Sequence, residues 1–551
     1  MSNASGKKGF FRFFIIFSIA FSALILLYYA YLMLFSGERS KQYSNPSVSS
    51  SYQRGMILDR NGEVLALDVP YIRIAANPRQ ISDPQAASES LSRILGIPSS
   101  VILEQLSKDT GYTVLKKKIE LAQKETIQKA IDSASLTGSV YIEQYEGRTY
   151  PSNFHASQII GFTDTDGNGI EGMELAMDSV LKAYPALERN ISYGDDVYLT
   201  LDIQLQYLCD SVIQDMCEEH DPDYAVLVLL DAKTGEILCS VSYPWYNLNS
   251  YSQSSADSRQ NKAFTYMYEP GSVFKVFSLA SCLEAGTADF DAPYVCTGSR
   301  TFITDSGQKL LITCHEPHGT LDCNGMIARS CNGAISNWAL QTPDQDFYEG
   351  LSRFHFGTKY DLPLFNASGK LAAPSDWSFR SKPTISFGQE MMATPIQLAA
   401  AATAFTNSGM LVQPAIVSKV VDQDGQTVSS FSRTELGRAT SEETAQKVLE
   451  AMILATKEGG TAIKTSVPGL EVAAKTGTAE ILNSSSGAVT ASTLAIFPAD
   501  DPQYIVYVAA SNPKGSTIWG ANIASPAIGS LIDAMVSAGK LESRMFIVKD
   551  E

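Results

Sequence analysis

The sequence predicts an α+β protein. Its larger, C-terminal part is an antiparallel sheet covered by helices, preceded by a smaller α+β module and one N-terminal transmembrane helix. Three observations predict this. The chain has 551 residues, more than one hydrophobic core usually covers. Strand-like apolar runs stand at both ends of the stretch after about residue 195, with helical sequence between them. Phe13 to Phe35 are 23 consecutive uncharged residues.

As a helix that apolar run spans about 35 Å, enough for a bilayer core of about 30 Å. It is longer than the apolar core of a signal peptide and lacks a small-x-small cleavage site, so an uncleaved anchor is expected. Lys7, Lys8 and Arg12 precede it, which favours a cytoplasmic tail over residues 1–12, an anchor over 13–35 and all later sequence outside the cytoplasm. Residues 36–53 are Ser-rich and polar and read as a linker.

Folded sequence begins near Arg54. Residues 54–190 mix strand-like runs, "YIRIAAN" and "SVYIEQY", with a helical stretch around Ile119 to Ile131. They contain no catalytic cluster and read as a non-catalytic α+β pedestal. Within them "DTDGNGIEGMEL" imitates half a calcium loop, but its twelfth position is Leu175 where a bidentate Glu is required, so a Gly/Asp turn is the reading. From 195 to 545, "DVYLTLDIQLQYLCDSVIQDMCEE" passes from a strand into a helix. "YAVLVLLDAKTGEILCSVSYP" and "STLAIFPADDPQYIVYVAAS" are each a strand, turn and strand.

The formal charge is −17 and no long basic run exists, which argues against a nucleic-acid partner. No cofactor motif is present.

The chemistry-bearing stretch is "YMYEPGSVFKVFSLASCLEAG". Pro270 and Gly271 stop the preceding structure, Val273 to Leu283 is apolar nearly all round and Gly286 supplies a stop, which predicts a short buried helix with Ser272 in its first turn. Ser272 and Lys275 then share a face, and burial would lower the lysine pKa enough for it to accept the serine proton. The pattern alone decides nothing, since Ser-x-x-Lys also begins at Ser5, Ser179, Ser306, Ser511 and Ser537. A capping serine before a snorkelling lysine would look the same.

Two further elements narrow the choice. Ser330-Cys331-Asn332 is the only Ser-x-Asn of the chain. Lys-Thr-Gly occurs twice. The copy at Lys233 sits between two strands where a hairpin turn needs its glycine, and the copy at Lys475, in "AAKTGTAE", lies just before the final strand pair. Ser-x-x-Lys, Ser-x-Asn and Lys-Thr-Gly in this order are the signature of penicillin-binding proteins and class A β-lactamases.

On these motifs the chain resembles a class B penicillin-binding protein of the division or sporulation type. "RGMILDRNGEVLA" (54–66), "GNGIEGMEL" (167–175), "YEPGSVFK" (268–275) and "FGQEMMATPIQLA" (387–399) extend the likeness over nearly the whole chain. The resemblance implies a penicillin-binding/β-lactamase-like transpeptidase fold and a peptidoglycan D,D-transpeptidase acting through an acyl-serine. Ser272 would be nucleophile and Lys275 base. Ser330 and Asn332 would relay the proton and hold substrate, and Lys475 would set the local field. Thr476 and Thr478 would bind the terminal carboxylate beside Gly477, and the backbone N–H groups of Ser272 and Thr478 would form the oxyanion hole. Implied partners are peptidoglycan stem peptides, β-lactam antibiotics, a SEDS-family glycan polymerase and other divisome membrane proteins. Ala474, where many relatives have Gly, and the absence of Phe-x-Gly in the next strand depart from the pattern.

A class A β-lactamase would need a deacylating Glu, and no Glu-x-x-Leu-Asn lies between Asn332 and Lys475; a class D enzyme, which uses a modified lysine, would not need that motif, but the large N-terminal module and anchor argue against both. A β-lactam-sensing or scaffold protein, or an elongation-type transpeptidase, would keep the same motifs.

Eight cysteines outside the cytoplasm invite disulfides. A hairpin centred on Asp305 would put Cys296 opposite Cys314, where the two can form a cross-strand disulfide, and Ser306 at its tip. Cys314, His315, His318 and Cys323 fit no standard zinc spacing, so no metal is expected. Cys209, Cys217, Cys239 and Cys282 read as core, and Cys331 as pocket wall.

Overall fold

The computed structural model describes residues 51–182, 191–303, 307–481 and 487–543. One compact unit comprises residues 53–183 and 193–551 and holds every element discussed below; residues 1–52 with 184–192 form another. The apolar run 13–35, the expected anchor, lies outside the described residues, among which no helix is long and apolar enough to cross a membrane.

Tyr224–Asp231 and Ile237–Tyr243 are buried along almost their whole length, as strands covered on both faces must be. They join Ala473–Glu480, Val489–Phe497 and Tyr504–Ser511 in a five-stranded antiparallel sheet, although more than two hundred residues separate the two groups in sequence. Its order runs 473–480, 489–497, 504–511, 224–231, 237–243. The first Lys-Thr-Gly lies in the turn between Tyr224–Asp231 and Ile237–Tyr243, with Gly235 at φ 75°. Asp231 there accepts from the N–H groups of Lys233 and Thr234, a hairpin-turn role. Helices Ile203–His220 and Ala524–Ser537 pack together against the sheet.

Helix Lys275–Glu284 runs through the other layer, with Lys275 to Cys282 buried on every side. Phe274 and Phe277 meet Phe356 in edge-to-face geometry at 4.8 and 5.0 Å, and Phe277 stacks on Phe405. This aromatic packing fixes the helix axis and so the height of its first turn.

A second sheet is built on Val64–Ala76, which pairs with Thr113–Glu120 and Val140–Thr149. Ile119 therefore belongs to a strand, opposite Ile72, and the helix expected from 119 to 131 is confined to Lys124–Ser133; cross-strand pairing outweighs the local helical pattern. This sheet also takes in Asp196–Leu199, Val417–Val421 and Thr427–Ser430, so strands from beyond residue 190 extend it. The calcium-like loop is a turn, with Asp164 accepting from the N–H groups of Asp166 and Asn168.

Candidate active site

Ser272 lies in a 3-10 turn, Gly271–Phe274, immediately before the α-helix that starts at Lys275. Gly271 at φ 60° makes that turn possible. One turn of helix brings Lys275 Nζ to 2.8 Å from Ser272 Oγ. The lysine does not snorkel; it is fully buried and donates to the Ser330 carbonyl at 2.7 Å and to Asn332 Oδ1 at 2.6 Å. Ser330 Oγ is a further neighbour at 3.0 Å.

The second motif reaches Lys275 with both backbone and side chain because Ser330 adopts φ 57°, a left-handed conformation a serine rarely takes. Cys331 then caps helix Asn332–Gln341 by accepting from the Ala334 N–H. Asn332 is oriented by its own Nδ2, which donates to the Thr313 carbonyl at 2.9 Å.

Lys475 enters from the edge strand Ala473–Glu480. Its Nζ, also fully buried, donates to Ser330 Oγ and to the Thr476 carbonyl, both at 2.9 Å. The structure thus brings Ser272, Lys275, Ser330, Asn332 and Lys475 into one hydrogen-bonded cluster. The side chains of Thr476 and Thr478 lie outside that network: Thr476 Oγ1 donates to Thr461 Oγ1 at 3.0 Å, and Thr478 Oγ1 accepts from the Gly520 N–H at 3.1 Å. As i and i+2 of a strand they share a face.

Burial pushes the Lys275 ammonium down to about 8, with the Cys331 and Cys314 thiols opposing the shift. Lys475 is held well below the usual lysine range by burial and then by the charge of Lys275. Two acceptors with no proton of their own, the Ser330 carbonyl and Asn332 Oδ1, take two N–H bonds from Lys275. In the neutral amine the lone pair is then left for the Ser272 hydroxyl.

Close backbone approach explains two glycines. A Cβ on Gly477 would lie 2.6 Å from Ser492 Oγ and 2.8 Å from Val273, and one on Gly271 would lie 3.1 Å from the Thr478 carbonyl. The edge strand can therefore lie directly on the turn that carries Ser272. Ala474, buried and paired with Ala495, leaves an unbroken ladder of eight residue pairs between the strands, so this departure does not distort the strand.

Sequence reasoning gave no role to Gly388, whose carbonyl accepts from the Gly271 N–H at 3.0 Å. Its only signal was its place in "FGQEMMATPIQLA". The Glu269 side chain accepts from the Glu390 N–H at 2.8 Å, and Tyr268 donates to Tyr507 at 2.7 Å, so the segment leading into the Ser272 turn is fixed.

The register expected around Cys296 and Cys314 needs correction. The hairpin Ser299–Ile303 with Lys309–Thr313 pairs Ser299 with Thr313, which centres it one residue beyond Asp305. Cys296 lies in a different pair, opposite Gly319. Cys296 and Cys314 are nevertheless close, as free thiols with Sγ atoms 3.7 Å apart. His315 turns to Trp519, and the groups gathered around Cys314 are Cys296, His318 and Cys331, a different set from the one considered above. Ser306 lies outside the described residues. Cys209, Cys217, Cys239 and Cys282 are buried.

Comparison with known proteins shows the family. Residues 225–533 match the penicillin binding protein transpeptidase domain. The chain belongs to that family. Residues 49–189 match the penicillin-binding protein dimerisation domain. A peptidoglycan D,D-transpeptidase FtsI of Caulobacter vibrioides, described as probable, is 30% identical over 87% of this chain and 80% of its own. Stage V sporulation protein D of Bacillus subtilis is 27% identical over 97% and 86%, and the probable D,D-transpeptidase PenA of Neisseria meningitidis 28% over 86% and 82%. Penicillin-binding protein 2X of Streptococcus thermophilus shares the fold with a TM-score of 0.71 at 23% identity, covering 89% of this chain and 80% of that one. The protein is a class B penicillin-binding peptidoglycan D,D-transpeptidase of the serine acyl-enzyme type.

Proposed function

We propose that Ser272 is the nucleophile of this penicillin-binding protein and Lys275 its base. The observation that carries the reading is the Lys275 environment, in which two pinned N–H bonds aim the amine at Ser272 Oγ, 2.8 Å away. Ser272 attacks the carbonyl of the penultimate D-Ala of a stem peptide and passes its proton to Lys275. Ser330, between the two lysines, relays that proton to the leaving D-Ala amine. The oxyanion is received by the N–H groups of Ser272 and Thr478. Thr478, whose oxygen is engaged by the Gly520 N–H, donates its own proton to the terminal carboxylate, with Thr476 beside it on the strand and Gly477 keeping the approach clear. The amine of a neighbouring stem peptide then takes the acyl group. β-Lactams acylate the same serine.

In this reading residues 54–190 are the pedestal and 195–545 the transpeptidase domain, held outside the cytoplasm by a 13–35 anchor. A sporulation or septal role is favoured by "RIAANP", by the short N-terminal module and by the likeness to stage V sporulation protein D. Glycan polymerisation then falls to a SEDS-family partner, since residues 54–190 do not resemble a glycosyltransferase.

The test is the intact mass of full-length protein in detergent after benzylpenicillin, beside Ser272→Ala. One stable penicilloyl group, absent in the variant, is expected. Loss of drug without an adduct would instead indicate a β-lactamase, and intact drug without an adduct a scaffold.

A further inference from the structure

Four segments converge beside the second motif. Cys296 ends the strand Tyr294–Cys296, Cys314 follows Lys309–Thr313, His318 precedes Gly319–Leu321, and Cys331 caps Asn332–Gln341. Cys296 Sγ lies 3.7 Å from Cys314 Sγ and 3.4 Å from His318 Nδ1, and Cys314 Sγ lies 3.7 Å from Cys331 Sγ. All four donor atoms fall within 4.8 Å of one another.

These separations are those of a coordination shell. Tetrahedral zinc with bonds of about 2.3 Å to sulfur and 2.0–2.1 Å to nitrogen sets sulfurs roughly 3.8 Å apart and sulfur and nitrogen roughly 3.6 Å apart. A disulfide would use two of the sulfurs and leave a thiol and an imidazole without a role. Backbone donors point at the sulfurs as well: the Gly333 N–H reaches Cys314 Sγ and the Ala334 N–H reaches Cys331 Sγ, each at 3.4 Å, from the first turn of a ten-residue helix. Such N–H bonds stabilise thiolate ligands. Cys296, Cys331 and His318 are at most 9% exposed, while Cys314 is only half-buried and gives an ion a way in. Three soft sulfurs and an imidazole suit zinc, not calcium or magnesium.

We propose that Cys296, Cys314, His318 and Cys331 bind one zinc ion, which ties the 299–313 hairpin to the second motif. Binding releases three thiol protons to solvent and leaves a site of net charge −1. Cys331 separates Ser330 from Asn332, and Cys314 follows Thr313, whose carbonyl holds the Asn332 amide. The ion thereby fixes the alignment that aims Asn332 Oδ1 at Lys275.

The zinc site stands independently of the acyl-transfer reading; the alignment role rests on it, and separate measurements keep them apart. Full-length protein in detergent is loaded with zinc, desalted and analysed by elemental mass spectrometry, then reloaded with cobalt(II). About one zinc per chain is expected, with a sulfur-to-cobalt charge-transfer band and intense tetrahedral visible bands. His318→Ala and Cys296→Ser should lower zinc retention at least tenfold. Wild-type protein that retains only background zinc, or peptide mapping that shows a Cys296–Cys314 disulfide after loading, overturns the site. For the alignment role, chelation should slow acylation of Ser272 about 10-fold or more, the scale of lost support around a metal, with reversible drug binding unchanged and the rate restored by zinc. Unchanged acylation after complete metal removal overturns that role.

Discussion

Asn332 Nδ2 donates to the Thr313 carbonyl at 2.9 Å, and that single bond decides which end of the amide faces Lys275. With the nitrogen engaged, Oδ1 is left at 2.6 Å from Lys275 Nζ, where it accepts a hydrogen bond and carries no charge. A neutral acceptor can orient the lysine without stabilising its ammonium as a carboxylate would.

Replacing that amide by a carboxylate should therefore weaken the base. In the wild type the lysine is pushed down to about 8. The neutral amine is the reactive form, so acylation by a β-lactam should rise with pH through about 8 and then level. Asn332→Asp places a negative charge beside the ammonium and should raise its pKa by about 1–3 units, slowing acylation at pH 7 by roughly 10- to 1000-fold and moving the inflection upward. Stopped-flow acylation rates from pH 6 to 10 check this. An inflection near that of an ordinary lysine in the wild type, or one that Asn332→Asp leaves in place, would remove Lys275 as the base.

The nucleophile turn should be equally sensitive to a methyl group where no catalytic atom is present. Gly388 has φ 80°, and a Cβ there would lie 2.2 Å from the Gly271 carbonyl. Gly388→Ala must displace the turn that carries Ser272, and a shift of about 1 Å in a reacting group can cost 10²-fold in rate. We expect acylation about 100-fold slower with the fold retained by circular dichroism. Acylation within threefold of wild type would show that the contact is slack.

The motifs were legible because they are sequence-local: Ser272 and Lys275 need only one helical turn to meet, and Lys475 to Thr478 only a strand. What brings the three motifs together is long-range pairing, such as Tyr224–Asp231 against Tyr504–Ser511, and no local pattern encodes it. The left-handed Ser330 was hidden for the same reason, since its φ is imposed by contacts to two lysines distant in sequence. The hairpin register was misread by one residue, because turn geometry fixes register and composition alone does not. Cys296 belongs to a separate strand pair, and with Cys331 read as pocket wall the four-donor cluster was missed. The spacing Cys314-x-x-x-His318 was the one local hint.

The stretches "RGMILDRNGEVLA" and "GNGIEGMEL" are joined by Glu174, which is fully buried and divides its carboxylate between two arginines, accepting from Arg54 Nε and Arg148 Nε at 2.6 Å each. Arg54 also pairs with Asp178 at 2.7 Å and Arg148 with Asp68 at 3.3 Å. Removing the central charge leaves two buried guanidinium groups short of a partner, a change that costs about 3–5 kcal/mol in comparable buried pairs. Glu174→Gln should therefore lower the local opening free energy of residues 64–76 and 140–149 by about that amount. Asp178 is less buried, and Asp178→Asn should cost less. A chain of this size need not unfold in one step, so the measurement is native-state hydrogen exchange resolved by peptide. Protection should fall in those strands and persist in Val489–Phe497 of the catalytic sheet. Loss spread evenly over both sheets would show that the ion cluster supports the whole unit, and no loss would show that its desolvation cost cancels its attraction.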